Sequence, residues 1–463
     1  MIRFKKLTSW LVADTRGGAA QLPQSPIDWL THPTGRFFKI EAAAGLVLLF
    51  FTLLALFLAN SPFGPDFASL WAISIGINLG DIAFERSLHA WINDTVMTLF
   101  FFLIALELKR ELVLGELRKP RLAMLSVSAA FGGMVVPAGI YLSFQFGEVG
   151  QHGWGTVMAT DTAFVIGCLA LLGKRIPKSL RVFMLSLAIV DDLGAIIVVA
   201  LGYGKQLDLF YIVTALSGFV MIKAMSLIGI RSIALFFIGG GVIWLLVDAS
   251  GIHPTVTGVI LGLMTPTTKW VSADRLHLIM DSVVAYPTGD QRADRSVDRE
   301  VLKTAEAAAR EALSPVERLE FILHPWVGFV VMPLFAFSNA GVPLAMGELS
   351  GAIGTAVFIA FVLGKPLGVC LFSWLAVRLK IAVLPTDLPW LMIAGGGMLA
   401  GIGFTMAMFI ANLAYSIENI NTAKLGILSA SLFSALIGLI VLWIAIRVEN
   451  PARDDFTKQV KAR

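Results

Sequence analysis

Long apolar segments alternate with short charged loops along most of this chain. We identify twelve such segments, named spans one to twelve in chain order, each bounded by charged residues, proline or glycine. They cover residues 37–59, 92–108, 122–146, 155–173, 180–203, 209–229, 232–248, 252–265, 324–343, 353–377, 389–414 and 422–446. A helix of about 20 residues crosses the roughly 30 Å of bilayer hydrocarbon while satisfying its own backbone hydrogen bonds. The pattern therefore predicts an all-α polytopic membrane protein with about twelve transmembrane helices, the eighth being the shortest.

The composition supports this prediction. Apolar residues make up 57% of the chain and charged residues 15%, whereas roughly a quarter of the residues in soluble proteins are charged. The only two cysteines, Cys168 and Cys370, lie within apolar segments and form neither a disulfide framework nor a metal motif. A pI near 9.0 could indicate nucleic acid as a partner. We attribute it instead to loops on one side of the lipid bilayer, and expect no nucleic acid partner.

Lysine and arginine are concentrated in alternate loops. The loop after span one has Arg86 alone beside three acidic residues, and the loop after span three has no lysine or arginine. The basic clusters before span one, after spans two and four, and after span twelve are Arg3, Lys5, Lys6, Arg16, Arg36 and Lys39; Lys109, Arg110, Arg118, Lys119 and Arg121; Lys174, Arg175, Lys178 and Arg181; and Arg447, Arg453, Lys458, Lys461 and Arg463. Because basic loops stay in the cytoplasm, this alternation predicts an even number of spans and two cytoplasmic termini.

Regions outside the spans divide the chain further. We expect a cytoplasmic N-terminal extension at 1–34, a twelve-span domain at 35–447 and a cytoplasmic tail at 448–463. Within the domain, the stretch WAISIGINLG alternates apolar and polar positions and predicts a small β-hairpin in the first outer loop. The cytoplasmic insertion at 267–323 is rich in alanine, glutamate and arginine, which favours exposed helix.

Four ionisable residues lie deep within spans. They are Asp161, Asp191, Asp192 and Lys365. A charge near the bilayer centre costs at least roughly 2.5 to 3.5 kcal/mol, so each needs a compensating role, and together they imply a polar cavity. Lys365 precedes Pro366, which predicts a kink, and it lies too deep to extend to the surface. We expect it to pair with Asp191 or Asp192.

The adjacent aspartates favour an ion site over a structural ion pair. Neighbouring residues on a helix point about 100° apart, so Asp191 and Asp192 cannot both pair with one compact side chain without distorting the helix; instead we expect them to line a water-filled site and approach an ion from one wall. Asp161 follows Thr160 in mid-span, and the glycine-rich stretch GGGMLAGIGFTM lies in span eleven. We predict a break in both helices. Spans three to five and ten to twelve then each have an interrupted middle member, as in inverted repeats.

A buried carboxylate pair suits competition between two cations. Sodium binds deprotonated oxygens, and a proton binds the same oxygens, so the site holds one or the other. If Asp191 and Asp192 ligate the cation and face each side of the membrane in turn, the result is cation/proton exchange. Such a transporter is not an enzyme and needs no cofactor.

Several motifs resemble the bacterial sodium/proton antiporters of the NhaA type. These are ATDTAF, LAIVDDLGAIIVV, LGKPLG, GIGFTM and WINDTVMTLFFFLIALELKREL, and the resemblance covers residues from about 35 to 447. It implies that the fourth and eleventh helices are interrupted by extended chains that cross. It further implies that Asp191 and Asp192 form the cation and proton site, that Thr160 and Asp161 lie at the break, and that Lys365 pairs with the first aspartate.

The resemblance also implies a physiological role. Such proteins exchange sodium or lithium for protons electrogenically across the bacterial inner membrane, are activated at alkaline pH, and serve sodium and pH homeostasis. Four residues, Glu107, Lys109, Arg110 and Glu111, match the family's cytoplasmic pH sensor, and the hairpin matches its homodimer contact. The insertion and the N-terminal extension are longer than in compact members of the family.

Two other functions fit some of these residues. An intramembrane aspartyl protease would use two aspartates on different helices, such as Asp161 and Asp191, but would not need Lys365. A passive cation channel would dissipate a sodium gradient without moving protons. The lysine and the interrupted helices favour a coupled carrier over both.

Overall fold

The computed structural model describes residues 37–79, 82–115, 118, 120–204, 206–230, 232–269, 271–284, 303–309, 311–344 and 351–449. The expected N-terminal extension lies outside these residues, as does the C-terminal tail from residue 450 onward. Within the described part the secondary structure is helical apart from one two-stranded sheet.

Seventeen helices are numbered here in chain order. They are α1 (Phe37–Ala59), α2 (Gly64–Ala72), α3 (Met97–Val113), α4 (Pro120–Gln145), α5 (Thr162–Leu172), α6 (Lys178–Gly202), α7 (Leu209–Ile228), α8 (Ile233–Ala249), α9 (Val256–Met264), α10 (Ala273–Val284), α11 (Pro315–Trp326), α12 (Met332–Asn339), α13 (Ala352–Ile359), α14 (Lys365–Arg378), α15 (Trp390–Ala400), α16 (Phe404–Ala414) and α17 (Ile420–Glu449). Three π-helical turns keep helices continuous: Ile92–Val96 leads from the turn Leu88–Trp91 into α3, Val327–Val331 joins α11 to α12, and Ala360–Gly364 joins α13 to α14.

All twelve predicted spans are helical over most of their length. Among the described residues, seven helical segments are long and apolar enough to cross a membrane, or nine if each of two bent pairs counts as one span. The other three spans are the helices α3, α8 and α9, of 17, 17 and 9 residues. The chain is therefore an all-α polytopic membrane protein, as predicted, and span eight is the shortest.

Span nine begins earlier than its apolar residues indicate. We expected a start near residue 324, whereas α11 begins at Pro315. The hydroxyl of Ser314 accepts a hydrogen bond from the Glu317 backbone N–H at 3.3 Å, and the Glu317 carboxylate accepts one from the Ser314 N–H at 2.9 Å. This capping box satisfies the first free N–H groups of the helix, and proline suits its first position. The hydropathy pattern misses this turn because its side chains are polar.

The exposed helix predicted within the insertion has one buried face. Residues 303–309 are helical, but Ala305 and Ala308 on this helix are buried. Positions three apart share one helix face, so this face packs against the protein. The two ends of the insertion are also joined to each other, because the Val271 N–H donates a hydrogen bond to the Glu311 carbonyl at 3.4 Å. Residues 285–302 lie outside the described part.

The first outer loop forms an antiparallel hairpin. Strand β1 (Ser74–Leu79) pairs with β2 (Ile82–Ser87), and Ile75 lies opposite Arg86. Arg86 donates to the carboxylate of Asp94 at 2.5 Å and also to that of Asp248. Asp94 lies at the start of span two and Asp248 at the end of span seven, so β2 is held against both spans.

At Pro366, where we predicted a kink, span ten has a π-helical turn and no interruption. The span runs without interruption from Ala352 to Arg378. The π-helical turn Ala360–Gly364 immediately precedes Lys365 and Pro366. A wider turn accommodates the proline ring and its missing N–H, because the strict α-helical bond to the carbonyl four residues back is not required there.

Glycines bring the backbones of α4 and α14 into contact. A Cβ on Gly132 would lie 2.3 Å from the Gly368 carbonyl oxygen, and a Cβ on Gly368 would lie 2.1 Å from that of Gly132. Only hydrogen at both positions allows this approach. The contact lies one turn from Lys365 and thereby fixes the side of α14 on which the lysine enters the bundle.

We expect the substitution Gly132→Ala to destabilise the protein by about 1–3 kcal/mol, the usual cost of overpacking. Gly139→Ala is the matched control, because α4 has nothing within 4 Å of a Cβ at Gly139. In that control alanine gains about 0.5–1 kcal/mol of helix propensity. Apparent melting temperatures in detergent should therefore shift in opposite directions, and equal shifts would contradict the close packing.

Candidate functional site

Two helices are interrupted within the bundle. In span four, the 3₁₀ helix Gln151–Met158 ends in extended residues, and α5 begins at Thr162. In span eleven, α15 ends at Ala400, α16 begins at Phe404, and the two bend by 44°. Both predicted breaks are confirmed. Glycine is required at the second, because a Cβ on Gly403 would lie 2.4 Å from the ring of Phe361.

The two interruptions touch each other. The backbone N–H of Asp161 donates to the carbonyl of Ile402 at 2.6 Å. The hydroxyl of Thr160 lies 3.0 Å from the carbonyl of Ala400 and 2.5 Å from Oδ2 of Asp191, and it can donate to one of them at a time. Backbone groups released by the breaks are thus satisfied inside the protein, as hydrocarbon requires.

Asp161 caps the two helices that start at the breaks. Its carboxylate accepts from the backbone N–H of Phe164 at 3.2 Å, in the first turn of α5. It also accepts from the backbone N–H of Thr405 at 3.0 Å, in the first turn of α16, and from the Thr405 hydroxyl. Helix N-termini carry partial positive charge. One carboxylate therefore stabilises two N-termini that face each other.

Lys365 lies at the opposite helix ends. Its Nζ donates to the Met158 carbonyl, where the 3₁₀ helix ends, to Thr160 Oγ1 at 2.9 Å and to Asp191 Oδ2 at 2.6 Å. The ammonium thus faces the partial negative charge of a helix C-terminus and uses all three of its donors. Lys365 and Asp191 are fully buried. The structure therefore pairs the lysine with Asp191, leaving Asp192 outside the ion pair.

Asp192 lies on the other side of the same helix turn. Its Oδ2 accepts from the Thr162 hydroxyl at 3.3 Å, and the residue is buried. Across the described ranges, neither Asp191 Oδ1 nor Asp192 Oδ1 has a hydrogen-bond partner. Buried carboxylate oxygens without donors are acceptors for a cation, and hard cations such as sodium prefer oxygen ligands. Together with the hydroxyls of Thr160 and Thr162, these carboxylate oxygens form a set of possible oxygen ligands around the break.

The expected cytoplasmic cluster is only partly assembled. Arg110 bonds to Glu111 at 3.1 Å and to Glu320 of α11, while Glu107 lies 4.0 Å from His324. Lys109 instead donates to the carbonyls of Leu263 and Thr265 at the C-terminus of α9, each at 2.6 Å. Sequence reasoning missed Glu320, although an acidic residue on the buried face of an amphipathic helix is a recognisable signal.

A second polar network was also missed, where the start of span two meets the ends of spans nine and eleven. Asn339 donates to Asn93 Oδ1 at 2.9 Å, His89 lies 3.0 Å from Asn339 Oδ1, and Asn412 donates to that same oxygen at 2.5 Å. In span twelve, Lys424 is buried nearby. A single uncharged asparagine in a helix does not stand out in a sequence. Three asparagines on three separate spans therefore did not indicate a network.

Comparison with known proteins identifies the family of this chain. Residues 35–442 match the family model described as Na+/H+ antiporter 1. The chain is 62% identical over 422 residues to the Na(+)/H(+) antiporter NhaA 2 of Vibrio vulnificus, covering 91% of this chain and 94% of that protein. It is 56% identical over 423 residues to the NhaA antiporter of Rhizobium meliloti, covering 91% and 97%. A third relative, NhaA 2 of Acidiphilium cryptum, is 54% identical over 436 residues, covering 94% and 97%.

We expect Thr405→Val to destabilise the protein by about 1.5–3 kcal/mol, because the charged carboxylate of Asp161 loses the hydrogen bond from the Thr405 hydroxyl. Thr405→Ser retains the hydroxyl and is the matched control. Thermal unfolding in detergent should rank the parent and the serine variant above the valine variant. Equal stability of valine and serine variants would show that the hydroxyl contributes nothing to the cap.

Proposed function

This chain belongs to the Na+/H+ antiporter 1 family, and we propose that it exchanges sodium for protons at the carboxylates of Asp191 and Asp192. It is a multi-pass membrane transporter, like the relatives named above, and not an enzyme. The buried ion pair between Lys365 and Asp191, at 2.6 Å beside carboxylate oxygens without hydrogen-bond donors, is the observation that carries the proposal for these residues.

The ion pair explains how sodium and protons can compete. With no sodium bound, the Lys365 ammonium neutralises Asp191, and a proton can neutralise Asp192. A sodium ion needs both carboxylates as ligands, so it displaces the ammonium and the proton. Two like charges side by side are otherwise unfavourable, which means that the pair is neutralised either by protons and lysine or by the metal ion. Thr160 moves with this exchange, because its hydroxyl contacts both Lys365 and Asp191.

The same arrangement supports electrogenic exchange. Asp192 and Lys365 are two separate groups that can each release a proton when sodium enters. Exchange of more than one proton for each sodium moves net charge across the membrane. Lithium is also a small hard cation and should bind the same oxygens. We assign the protein to sodium and pH homeostasis on this basis.

The loop charges support an orientation in the bacterial inner membrane with both termini cytoplasmic. Arg118 and Arg121, between spans two and three, are exposed, as expected for residues in a cytoplasmic loop. The hairpin between spans one and two then lies outside. Ile73 and Ile75 are about half exposed there, and an unpaired strand edge readily pairs with another strand. We therefore propose a homodimer formed through the hairpin.

The cytoplasmic cluster is proposed as the site of activation at alkaline pH. Arg110 bridges Glu111 on its own helix and Glu320 on α11, so protonation in this cluster changes a contact between spans two and nine. Glu107 and His324 make a second contact between the same spans. Lys109, on α3, donates to carbonyls at the end of α9 and is expected to contribute to packing there.

The alternative functions fit the geometry less well. An aspartyl protease needs two carboxylates free to share a proton across a scissile bond. Asp161 is instead engaged by two helix N-termini, and Asp191 is paired with Lys365. A passive channel would not require a lysine that competes with the permeating cation for the same carboxylate.

We expect Asp192→Asn to abolish exchange. In everted vesicles from a strain without its own antiporters, sodium or lithium should dissipate the proton gradient of the parent, as reported by a pH dye. The variant should give no response, since a neutral amide cannot be one of two anionic ligands. Asp387→Asn, an exposed loop residue, should behave like the parent. A parent that responds to no cation, or that loses its sodium gradient without proton movement, contradicts antiport.

We expect Glu320→Gln to shift the pH dependence of exchange while the maximal rate stays unchanged. Arg110 loses an anionic partner, and a change of about 1.4 kcal/mol in one ionisation corresponds to about one pH unit. The activity should be measured in the same vesicles across neutral and alkaline pH. Glu306→Gln, an exposed position in the insertion, is the control. An unchanged profile would show that Glu320 has only a structural role.

A further inference from the structure

Three tyrosines surround the outer half of span four, the 3₁₀ helix Gln151–Met158. We propose that Tyr141, Tyr203 and Tyr415, together named the tyrosine clamp, are positioning residues for the exchange reaction. They set how far this half-helix reaches into the bundle and so place its last carbonyl against Lys365. The inference rests on the proposed function, because it assigns a role in sodium binding at the same site.

The 3₁₀ conformation of the half-helix must be stabilised by groups outside it. It is a 3₁₀ helix over eight residues, whereas such helices rarely exceed three or four residues, because their hydrogen bonds are poorly aligned. Its end residue, Ala159, is extended and continues into the break. Neighbouring side chains must therefore hold the segment in this form.

The 3₁₀ form determines the reach of the segment. It rises about 2.0 Å per residue, and an α-helix about 1.5 Å. Over the eight residues the difference is about 4 Å. If the segment relaxed to an α-helix, the Met158 carbonyl would withdraw from Lys365 by more than a hydrogen bond tolerates.

The clamp binds the half-helix through hydroxyl groups. The Tyr141 hydroxyl donates to the Gly150 carbonyl at 2.6 Å, and the Tyr203 hydroxyl donates to the His152 carbonyl at 2.7 Å. The hydroxyls of Tyr141 and Tyr415 lie 2.8 Å apart. Since the Tyr141 proton is used on Gly150, Tyr415 donates in this pair. The carbonyls at the outer start of the half-helix are thus tied to neighbouring spans.

Glycines in the half-helix make room for these hydroxyls. A Cβ on Gly153 would lie 2.0 Å from the Tyr415 hydroxyl oxygen and 2.6 Å from that of Tyr141. A Cβ on Gly155 would lie 2.7 Å from the Tyr203 hydroxyl oxygen. The tyrosines therefore occupy the space in which side chains of the half-helix would otherwise lie, and they contact its backbone directly.

The inner end of the same segment forms part of the ion site. Met158 provides a carbonyl to Lys365, and Thr160 lies 2.9 Å from Lys365 and 2.5 Å from Asp191. A shift of the half-helix removes an acceptor from the ammonium and a hydroxyl from the carboxylate. Lys365 then holds Asp191 more tightly and competes better with sodium, so sodium binding weakens.

Burial argues against a role at the membrane surface. Tyrosines at the interface keep their hydroxyl in the headgroup region, whereas Tyr141 is fully buried. Tyr211, on α7, is exposed and serves as the comparison. It has the same side chain, and in the described part of the chain its hydroxyl makes no hydrogen bond to the half-helix.

The test replaces single hydroxyls. Tyr141→Phe and Tyr415→Phe each remove one oxygen, and Tyr211→Phe is the matched control. Sodium-dependent proton movement is measured in everted vesicles at a series of sodium concentrations. Each clamp variant should raise the KM for sodium by about five-fold, the effect of one neutral hydrogen bond, while the maximal rate stays near that of the parent. Tyr211→Phe should leave both unchanged.

The outcomes separate the clamp from the proposed function. A parent without sodium-dependent proton movement overturns the proposed function, and the clamp's role with it. An active parent with equal KM values for Tyr141→Phe and Tyr211→Phe overturns the clamp alone. A change in melting temperature at constant KM also overturns it, because it shows a purely structural role.

A second variant tests the same point from the other side. Gly153→Ala retains every tyrosine but pushes the half-helix away from two of them. It should raise the sodium KM in the same way, with Gly139→Ala as the control. If Gly153→Ala is expressed and active with the KM of the parent, the half-helix does not depend on its contact with the tyrosines.

Discussion

The structure depends on how the ends of two broken helices are satisfied in a medium that offers no hydrogen bonds. Each break creates a positive and a negative helix end inside the bundle. Asp161 lies at the two N-termini, and Lys365 lies at the C-terminal end of the 3₁₀ helix. The sign of each charge follows from the helix end that it faces. Lys365 then requires an anion, which Asp191 provides, and the adjacent Asp192 lies outside this ion pair.

Packing places these charges. Gly132 and Gly368 let α4 and α14 approach at the level of Lys365, and the π-helical turn before Pro366 keeps span ten continuous through the site. Glycines in span four likewise admit the tyrosine hydroxyls. The ion site thus rests on backbone contacts that a single methyl group would obstruct, and these contacts explain why glycine rather than alanine recurs around it.

Spans two and nine connect the two surfaces of the membrane. At one end they meet through Arg110 and Glu320, and at the other end through Asn93 and Asn339. Both contacts are polar and lie away from the carboxylate pair. A change of charge at the Arg110 contact can therefore alter how these spans pack.

Much of this architecture is readable from the chain alone. Apolar length predicts the spans, and a charge in hydrocarbon costs enough that Asp161, Asp191, Asp192 and Lys365 stand out without any structure. Partners were not readable in this way. Lys365 and Asp191 are 174 residues apart; burial and charge left either aspartate open as the partner, and only the family resemblance indicated the first. The double cap on Asp161, the hydroxyl of Thr405 and the tyrosine clamp depend on uncharged groups from distant helices, which cost little locally and acquire meaning only when folding brings them together.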